Sequence, residues 1–332
     1  RIENIENICA PIIICNEEHR FITGDQMRKI NITPQAIILE PSRRNTAPAI
    51  TIAAMKVIED FKEEDLDPIL LILSSDHFIE DINEFKKSIQ NSIEFASNGN
   101  LIIFGITPSN PATGYGYIKS NKKLDENNLS ANKVEKFIEK PDLKTAQLLF
   151  EDKKYSWNSG MFVFKASSIL EELSKFVPEI VSNCKDCLTK SKLDLDFLRL
   201  DKLSFSECEN ISIDVAVFEK TNKAYVFPLD CGWDDIGSWG SLWNISQKDD
   251  EGNSIKGNVI IKETKTSLIR SEEKLLVSLG LKDVMIIDTK DALLVANKSF
   301  SQEIKNIVTS LNEKNLKEGK QHKKIYRPWG LY

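Results

Sequence analysis

The N-terminal half of the chain alternates short apolar runs with amphipathic helical patterns, and this alternation constrains the fold more than any other feature. Apolar runs occur at residues 12–15, 36–39, 69–73 and 101–104. Helical patterns separate them, as in the apolar stripe that follows Pro48. Continuous β-branched runs between helices predict βαβ units, so we expect an α/β fold whose mostly parallel sheet is covered on both faces.

The chain changes character after Gly252, where short apolar runs alternate with turn residues and no helical pattern fits between them. This pattern predicts a small second module of short strands over residues 252–300. A last amphipathic helix is predicted at residues 302–316, within a helix and linker region over residues 301–321. Because a domain usually spans ~100–200 residues, the larger first part, residues 1–251, is expected to form a domain of its own.

Composition excludes several function classes. The formal net charge is −6, whereas a dedicated nucleic-acid-binding protein usually carries a basic face. No apolar run approaches the ~18–20 residues of a membrane-spanning helix, and no signal segment opens the sequence, so we expect a cytoplasmic protein. The sequence has three histidines and contains no G-x-S-x-G or H-E-x-x-H motif, so a hydrolase triad or a zinc peptidase site is disfavoured. It also lacks the nucleotide-binding motifs G-x-G-x-x-G and G-x-x-x-x-G-K-[ST].

The six cysteines are dispersed, and Cys184 and Cys187 form a single C-x-x-C pair within a predicted helix. A zinc site would need a second cysteine pair or a histidine pair nearby. We therefore expect these two residues to be buried thiols rather than metal ligands.

The loop at residues 40–49, EPSRRNTAPA, follows the second apolar run and opens a helix at Pro48. Ligands bind beyond the carboxyl ends of strands in an open α/β sheet, so this 40–49 loop is a candidate site. Arg43 and Arg44 could bind phosphates, and Asn45 and Thr46 could contact a base or a sugar. A surface loop that only caps the helix would explain the same residues.

Two acidic segments are candidates for a metal site. Asp76 lies just beyond the third apolar run, and Asp234 and Asp235 lie in CGWDDIGSW, after the predicted strand at residues 224–227. Asp76 with either Asp234 or Asp235 could hold one Mg²⁺ that bridges phosphate oxygens. Each aspartate taken alone is more simply explained as a helix or turn cap.

Three further segments have unusual composition. ATGYGYI, at residues 112–118, sets glycines between aromatic residues and would allow a ligand to approach the backbone closely. FIEKP places Glu139, suited to sugar hydroxyls, beside Lys140, suited to a phosphate. YSWNSGMF, at residues 155–162, places Asn158 and a glycine before a predicted strand at residues 161–164. Each segment could also be an ordinary turn.

In this order, the segments resemble the mannose-1-phosphate guanylyltransferases, also called GDP-mannose pyrophosphorylases. The resemblance covers nearly the whole chain and is closest to the bacterial type in which a cupin isomerase module follows. The most specific features of this resemblance are RNTAPA, WNSGMF and the order of all the matching segments along the chain. The wider family of sugar-1-phosphate nucleotidyltransferases shares EKP and W-x-D-x-G. The matching stretches are LEPSRRNTAPA, SSDH, FGITPSNPATGYGYI, FIEKPD, WNSGMF, SIDVAVFEK, WDDIGSW and YRPWG.

The resemblance implies a Rossmann-like, GT-A-like nucleotidyltransferase domain followed by a small left-handed β-helix-like module. Residues 322–332 would be the first part of the cupin module. The implied reaction converts GTP and α-D-mannose 1-phosphate to GDP-mannose and diphosphate with Mg²⁺, for polysaccharide precursor synthesis. Because a sugar phosphate has a second pKa near ~6 and is already ionised at neutral pH, such a reaction needs charge neutralisation rather than a general base.

Carried over by position, Asp76 and Asp235 resemble the metal-binding acids, with Asp235 preferred over Asp234 because the family pattern is Trp, any residue, then Asp. Lys140 resembles the catalytic phosphate contact and Glu139 a sugar contact. The remaining matches are Gly116, Asn158 and Asp214 in the sugar pocket, and Arg44, Asn45 and Thr46 in the nucleotide site.

The sequence departs from the family pattern at three places. The family opens with a glycine-rich loop, G-G-x-G-T-R-L-W-P and then a Lys, that wraps the triphosphate; the chain begins downstream of it and is therefore expected to be inactive as it stands. SSDH replaces the more usual P-A-D-H but keeps the Asp and the His. The chain also stops where the cupin module would begin, so isomerase activity is not expected here.

Two other functions remain open on the sequence. The chain could bind GDP-mannose in a regulatory role without making it, or it could be a related sugar-1-phosphate nucleotidyltransferase with another specificity. The strand-rich module and the last helix could chiefly build a homodimer. No nucleic-acid or membrane partner is expected.

Overall fold

The computed structural model describes residues 2–3, 5–124, 130–301, 303–314 and 316, and the backbone of residues 326–327 and 330–331. These residues form two units. The first consists of Arg1–Ser75 and Ile79–Trp233, and the second of Asp76–Phe78 and Asp234–Tyr332. The predicted linker at residues 317–321 lies outside the described residues, as does most of the segment 322–332, where only a short backbone pairing of Tyr326–Arg327 with Gly330–Leu331 is described.

The first unit alternates strands and helices as expected. Its strands are β1 (Ile12–Asn16), β2 (Ala36–Glu40), β3 (Ile69–Ile72), β4 (Leu101–Ile106), β5 (Tyr117–Ser120), β6 (Asn132–Ile138), β7 (Tyr155–Lys165), β8 (Lys192–Asp194), β9 (Phe197–Arg199) and β10 (Ala224–Pro228). Its helices are α1 (Arg20–Lys29), α2 (Thr46–Asp60), α3 (Ile82–Ser97), α4 (Leu143–Glu151), α5 (Ala166–Phe176), α6 (Pro178–Thr189) and α7 (Lys202–Ser206), with 3₁₀ turns at Glu17–His19 and Lys62–Glu64 and a π-helical turn at Asp214–Phe218.

Two sheets organise this unit. The four-stranded sheet has the order β1-β2-β9-β8, and the six-stranded sheet has the order β3-β7-β4-β10-β6-β5, with an additional pairing of β7 with β5. The pairs β1–β2, β2–β9 and β4–β10 are parallel. The long strand β7 pairs antiparallel with β3, β4 and β5.

The fold class is confirmed, although direct parallel neighbours are fewer than we predicted. Strands β3 and β4 run in the same direction, as their connection through α3 requires, but β7 lies between them and runs antiparallel to both. An alternating strand–helix pattern specifies the direction of a strand, and it does not specify which later strand inserts beside it. The sheets are therefore mixed.

Both faces of the six-stranded sheet are covered, as the unbroken apolar run in β4 predicts. Leu101 and Ile103 pack into one core with residues of α2, α5 and α6. Ile102 and Phe104 pack into the opposite core with residues of α3 and α4. Successive side chains of a strand point to opposite faces, so this alternation places helices on both sides of β4.

Strand β7 corrects a second prediction. It begins at Tyr155, six residues before the predicted strand start, so Asn158 and Gly160 lie within a strand rather than in a turn. The register between β4 and β7 shifts between Ile103 and Gly105, and Gly160 has φ +67. A bulge accommodates turn-forming residues within a strand and redirects their side chains, which is why the turn chemistry misled the prediction.

The second unit contains the predicted short strands, and its domain is β-helix-like. Its elements are α8 (Trp239–Ile245), β11 (Ser254–Lys256), β12 (Val259–Lys262), β13 (Leu268–Ser271), β14 (Leu276–Leu279), β15 (Val284–Asp288), β16 (Leu293–Asn297), a 3₁₀ turn at Lys298–Phe300 and α9 (Ile304–Glu313). The strands β11, β13 and β15 pair in parallel, as do β12 and β14, so successive turns of the chain stack on one another.

A small apolar core of Leu268, Met285 and Ile287 holds these turns together, with Trp239 and Trp243 packed against it. Gly257, between β11 and β12, has φ +97, and a Cβ there would lie 1.9 Å from the backbone oxygen of Ser271. This tight corner therefore requires glycine. Among the described residues, none of the helices has the length and apolar character that crossing a bilayer demands.

Candidate functional site

The 40–49 loop joins β2 to α2, and Asn45 sets its geometry. Helix α2 begins at Thr46, two residues before the predicted start at Pro48, because the Asn45 side chain accepts a hydrogen bond from the Thr46 amide at 2.9 Å. Asn45 has φ +65, a left-handed conformation that asparagine tolerates better than most residues. The side chains of Asn45 and Thr46 are both exposed, so a ligand can reach them.

The segment that follows α7 anchors the 40–49 loop. Ile213 donates its amide to the Thr46 hydroxyl oxygen at 2.8 Å, and the Ala47 amide donates to the Ile211 carbonyl at 3.2 Å. Arg44 donates through Nη2 to the Ser206 carbonyl at 2.5 Å. These bonds hold the predicted nucleotide residues against a segment that continues directly into Asp214.

Asp214 begins the π-helical turn and is held by Asn158. Asn158 Nδ2 donates to Asp214 Oδ1 at 2.9 Å, and Asn158 Oδ1 accepts from the Gly160 amide at 2.9 Å. Burial raises the pKa of Asp214 to about 6, and the negative charge of Glu139 adds to the shift. A modest change in pH or in nearby charge therefore alters how far this hydrogen-bonded carboxyl group is ionised.

Gly116 and Glu139 lie beside each other. A Cβ on Gly116 would lie 2.6 Å from Glu139 Oε2 and 3.0 Å from the Phe137 ring, so only glycine fits without movement. The Gly116 carbonyl accepts a bond from the Asn158 amide at 2.8 Å. Lys140, whose φ is +42, places its Nζ 2.7 Å from Glu139 Oε1 and is largely exposed.

The structure therefore brings the predicted sugar and phosphate residues into one group, here called the Asp214 cluster: Gly116, Glu139, Lys140, Asn158 and Asp214. Ile213 connects this cluster to the 40–49 loop, because it bonds to Thr46 and directly precedes Asp214. These residues are spread over about a hundred positions of the sequence, and they become neighbours only when the sheet folds.

Glu40 is a residue that our sequence reasoning did not select. It ends β2 at the start of the 40–49 loop, and burial, together with the charge of Cys208, raises its pKa to about 7. Among the described residues, Glu40 Oε1, Ser42 Oγ and Arg44 Nε are buried and have no hydrogen-bond partner. An acid at the carboxyl end of an otherwise apolar strand was the available signal.

The two predicted metal acids belong to the second unit, in backbone segments that pair with each other. The Phe78 amide donates to the Asp234 carbonyl at 2.8 Å, and the Asp234 amide donates to the Phe78 carbonyl at 3.2 Å. This antiparallel bridge lies two residues from Asp76 and one residue from Asp235. The sequence separates the two acids by more than 150 positions, and the fold brings their segments side by side.

The carboxylates near this bridge differ in their surroundings. Asp235 Oδ1 accepts from the Gly237 amide at 2.9 Å and is half-buried, and Asp76 is exposed. Asp234 Oδ1 accepts from the Ile236 amide at 2.7 Å, and burial raises the pKa of Asp234. No group of three or more His, Cys, Asp or Glu side chains arranged for a metal occurs in the described part of the chain.

A cavity of about 620 Å³ lies elsewhere in the first unit and includes none of the predicted site residues. Asp81 in its lining caps α3 by accepting the Asn83 and Glu84 amides at 3.0 and 2.9 Å. The lining residues are Glu80, Asp81, Ile82, Asn83, Asp230, Cys231 and Gly232. Its acids are thus partly explained by helix capping.

Comparison with known families agrees with this geometry. Residues 2–252 match the family model described as nucleotidyl transferase, and residues 257–311 match the model described as MannoseP isomerase/GMP-like beta-helix domain. The first match covers the Asp214 cluster, the 40–49 loop and both predicted metal acids. The second covers the stacked strands from β12 onward.

The chain is also similar to characterised proteins over nearly its whole length. It is 44% identical to a mannose-1-phosphate guanylyltransferase of Escherichia coli, over 98% of this chain and 70% of that protein. It is 44% identical to the xanthan biosynthesis protein XanB of Xanthomonas campestris, over 97% of this chain and 67% of that protein. These matches do not bear out the expectation that the chain is inactive as it stands.

A solved structure supports the fold. The crystal structure titled mannose-1-phosphate geranyltransferase, from Thermus thermophilus, superposes with a TM-score of 0.75 at 23% identity and covers 91% of this chain and 84% of that one.

Proposed function

The chain belongs to the mannose-1-phosphate guanylyltransferases, a family of nucleotidyltransferases, and we propose that it forms GDP-mannose and diphosphate from GTP and α-D-mannose 1-phosphate. The observation that carries the proposal is the connection of two polar groups through Ile213. Its amide bonds to Thr46 of the 40–49 loop, and the next residue begins the Asp214 cluster. This arrangement supports the binding of two substrates side by side, and the relatives include a protein of polysaccharide synthesis.

We propose that the Asp214 cluster binds mannose 1-phosphate. Glu139 and Asp214 are carboxyl groups suited to sugar hydroxyls, and Asn158 positions Asp214 through its 2.9 Å bond. Gly116 leaves the space that a side chain would fill next to Glu139. Lys140 is the group proposed to contact the phosphate, because its ammonium is largely exposed and is held beside Glu139 by their ion pair.

We propose that the 40–49 loop binds the nucleotide and that Glu40 reads the guanine base. We assign phosphate and sugar contacts to Arg44, Asn45 and Thr46. Guanine presents two neighbouring donors, N1–H and the 2-amino group, and an ionised carboxylate is the side chain that accepts from both. Glu40 has a buried oxygen without a partner among the described residues, at the loop where the nucleotide residues begin.

Nucleotidyltransferases of this family use a divalent cation, and we propose Mg²⁺ held by Asp76 and Asp235. The residues present fit this ion, because both are carboxylates on paired backbone segments and Mg²⁺ binds through one or two carboxylates plus substrate phosphates. When bound, the cation neutralises phosphate charge and orients the phosphate oxygens.

The protein's own residues then act by position and charge. The mannose 1-phosphate oxygen is already ionised near neutral pH and needs no base; it attacks the α-phosphorus of GTP, and diphosphate leaves. Lys140 offsets the repulsion that this phosphate experiences from the triphosphate. Glu139, Asn158 and Asp214 fix the sugar, and the 40–49 loop fixes the nucleotide, so that attacking and leaving oxygens are aligned.

A coupled assay of diphosphate release tests this function directly. The chain, GTP, mannose 1-phosphate and Mg²⁺ are expected to release diphosphate, with GDP-mannose identified by mass spectrometry. The matched control replaces the substrates with UTP or dTTP and glucose 1-phosphate, which should react far more slowly. Faster turnover of the control substrates, or calorimetric binding of GDP-mannose without any turnover, would contradict the proposal.

We further propose that the chain forms a homodimer through its β-helix-like domain. Ile260 and Val277 pair across β12 and β14 and are 55% and 63% exposed. Leu275 and Leu279, two residues before and after Val277, are also exposed and extend this face along β14. Contiguous exposed apolar surface of this kind marks an interaction site.

Sedimentation of the full chain tests the dimer. A Val277→Lys variant should sediment as a monomer, because the new charge would be desolvated at the interface. Leu203→Lys is the matched control, since Leu203 is also exposed but lies in the first unit. A wild-type monomer, or a Val277→Lys variant that remains dimeric, would refute the assignment.

A further inference from the structure

Three cysteine side chains lie together in the core of the first unit, and this group is here called the thiol cluster: Cys184, Cys187 and Cys208. Cys184 and Cys187 lie about one turn apart on α6, and Cys208 follows α7. All three are buried, with exposed fractions of 0%, 0% and 2%. The sulfur atoms of Cys184 and Cys208 are 3.9 Å apart.

The three thiols do not ionise alike. Hydrogen bonding with the Cys184 and Cys187 side chains, together with the positive charge of Arg44, lowers the pKa of Cys208. The same hydrogen bonds, together with burial, raise the pKa of Cys184 and of Cys187. Cys208 is therefore the member of the cluster that ionises most readily, and the thiolate is the reactive form of cysteine.

The thiol cluster lies directly beneath the 40–49 loop. Cys184 Sγ is 3.7 Å from the carbonyl oxygen of Pro48, to which its S–H donates. Arg44 binds the carbonyl of Ser206, two residues before Cys208. The charge of Cys208 also raises the pKa of Glu40. A chemical change at Cys208 would therefore act on both Arg44 and Glu40.

We propose that Cys184 and Cys208 form a reversible disulfide, with a peroxide as the oxidant. The Cys208 thiolate attacks one peroxide oxygen and becomes a sulfenic acid, and the O–O bond breaks to release hydroxide, or alkoxide from an organic peroxide. Cys184 sulfur then attacks the sulfenic sulfur, and the displaced hydroxyl leaves as water with the thiol proton. For hydrogen peroxide, two thiols and one peroxide give one disulfide and two waters, and a dithiol reductant restores the thiols.

The geometry favours this pair over a metal-binding function. A disulfide has an S–S length of about 2.05 Å, so the two sulfur atoms must approach by about 1.8 Å, a movement within the reach of side-chain rotation. In the described part of the chain, no set of three His, Cys, Asp or Glu side chains is arranged to hold a metal, and the thiol cluster is no exception. Because all three sulfur atoms are buried, the oxidant reaches them only when the surrounding structure opens locally.

The bridge would change the 40–49 loop, an effect that rests on the proposed function of that loop. Oxidation consumes the Cys208 thiol, whose ionised form the charge of Arg44 favours, and removes the S–H bond from Cys184 to Pro48. Both changes alter the surroundings of the 40–49 loop, and we expect the KM for GTP to rise by about fivefold, the effect of one partly buried charge interaction. The KM for mannose 1-phosphate should stay unchanged.

Disulfide mapping by mass spectrometry tests the modification site whether or not the chain is a guanylyltransferase. The full chain is treated with hydrogen peroxide over a time course, alkylated, digested and mapped. Cys9 is the exposed reference and Cys231 the isolated buried reference, whose pKa burial raises to about 12. We expect a Cys184–Cys208 bridge to form before Cys231 reacts and to disappear with dithiothreitol.

Two variants make the assignment sharper. Cys184→Ser should leave Cys208 as a sulfenic acid that a dimedone-type reagent traps, and no bridge to Cys208 from residue 184 should form. Cys231→Ser, the matched control, should still form the bridge. The proposal is overturned if Cys208 bonds to Cys187 instead, or if no bridge forms at a peroxide dose that oxidises Cys9. A bridge that leaves the KM for GTP unchanged overturns the coupling to the loop.

Discussion

The Asp214 cluster and the 40–49 loop arrange their polar atoms in different ways. In the Asp214 cluster the groups bond to one another: Asn158 binds Asp214, and Lys140 binds Glu139. In the 40–49 loop, Glu40 Oε1 and Arg44 Nε are buried without a partner among the described residues. A buried polar atom without a partner costs about 1–3 kcal/mol. The difference supports the proposal that the sugar region is already organised and that GTP would satisfy the polar atoms of the nucleotide region.

The largest effect is expected from a change that lies outside both regions and should therefore affect both substrates. Asp235→Asn should lower kcat by about 10³-fold, because a proposed ligand of the divalent cation is lost. Steady-state kinetics with Mg²⁺ measures this, and Asp234→Asn is the matched control, expected to retain most activity. Equal losses in the two variants would contradict the preference for Asp235.

Glu40→Gln sharpens the comparison on the nucleotide side. The amide keeps one acceptor and replaces the other with a donor, so the variant should lose about 10–100-fold in kcat/KM for GTP. Inosine triphosphate, which lacks the 2-amino group, should be a poorer substrate than GTP for the wild type and nearly equal to GTP for the variant. If the variant discriminates between the two nucleotides as the wild type does, Glu40 does not read the base.

The pH dependence of stability tests the organised state of the Asp214 cluster. Burial raises the folded-state pKa of Asp214 to about 6, from an ordinary value of 3.8. The folded state therefore binds the Asp214 proton more tightly than the unfolded state does. The contribution of Asp214 to the free energy of unfolding is complete below pH ~4 and is lost as the pH rises through ~6.

Asp214→Asn removes this titration. The free energy of unfolding, measured with denaturant, should fall between pH 4 and pH 7 in the wild type. In the variant this fall should be smaller by up to about 2–3 kcal/mol. Asp142→Asn is a control whose effect on the pH dependence of stability has the opposite sign. Hydrogen bonds from Thr145 lower the pKa of the exposed Asp142 carboxyl, so its contribution to stability is lost as the pH falls. An unchanged pH profile in Asp214→Asn would mean that the pKa of Asp214 is not raised by burial.

The smallest effect is expected at the link between the two regions. Thr46→Val removes the oxygen that accepts from the Ile213 amide at 2.8 Å and should cost about 1 kcal/mol of stability. Because Ile213 connects the regions, the KM for both substrates should rise slightly. Thr46→Ser keeps the hydroxyl and should behave as the wild type in thermal unfolding and kinetics, and a Thr46→Val variant with unchanged stability would refute the link.

Much of the fold could be predicted from the sequence because apolar periodicity is a local signal. The observed β1, β2 and β3 begin at the predicted residues, and the expected burial of Cys184 and Cys187 is confirmed. The neighbours of each strand could not be predicted in this way. Strand β7 inserts between β3 and β4 through pairings that no local pattern encodes.

The site shows the same division between local and long-range information. The motifs named the members of the Asp214 cluster, but the bond from Asn158 to Asp214 joins residues 56 positions apart. The position of Glu40 at the end of an apolar strand was a local signal, but its burial and its unpartnered oxygen among the described residues exist only in the folded chain. The roles given to these residues remain predictions until they are measured.

The most direct test of the account is the pair of KM values in Glu40→Gln and Asp214→Asn, measured side by side with the wild type. We expect Glu40→Gln to raise the KM for GTP and leave the KM for mannose 1-phosphate unchanged, and Asp214→Asn to do the reverse. If either variant shifts both KM values equally, or if the two effects are exchanged, the division into a sugar region and a nucleotide region is wrong.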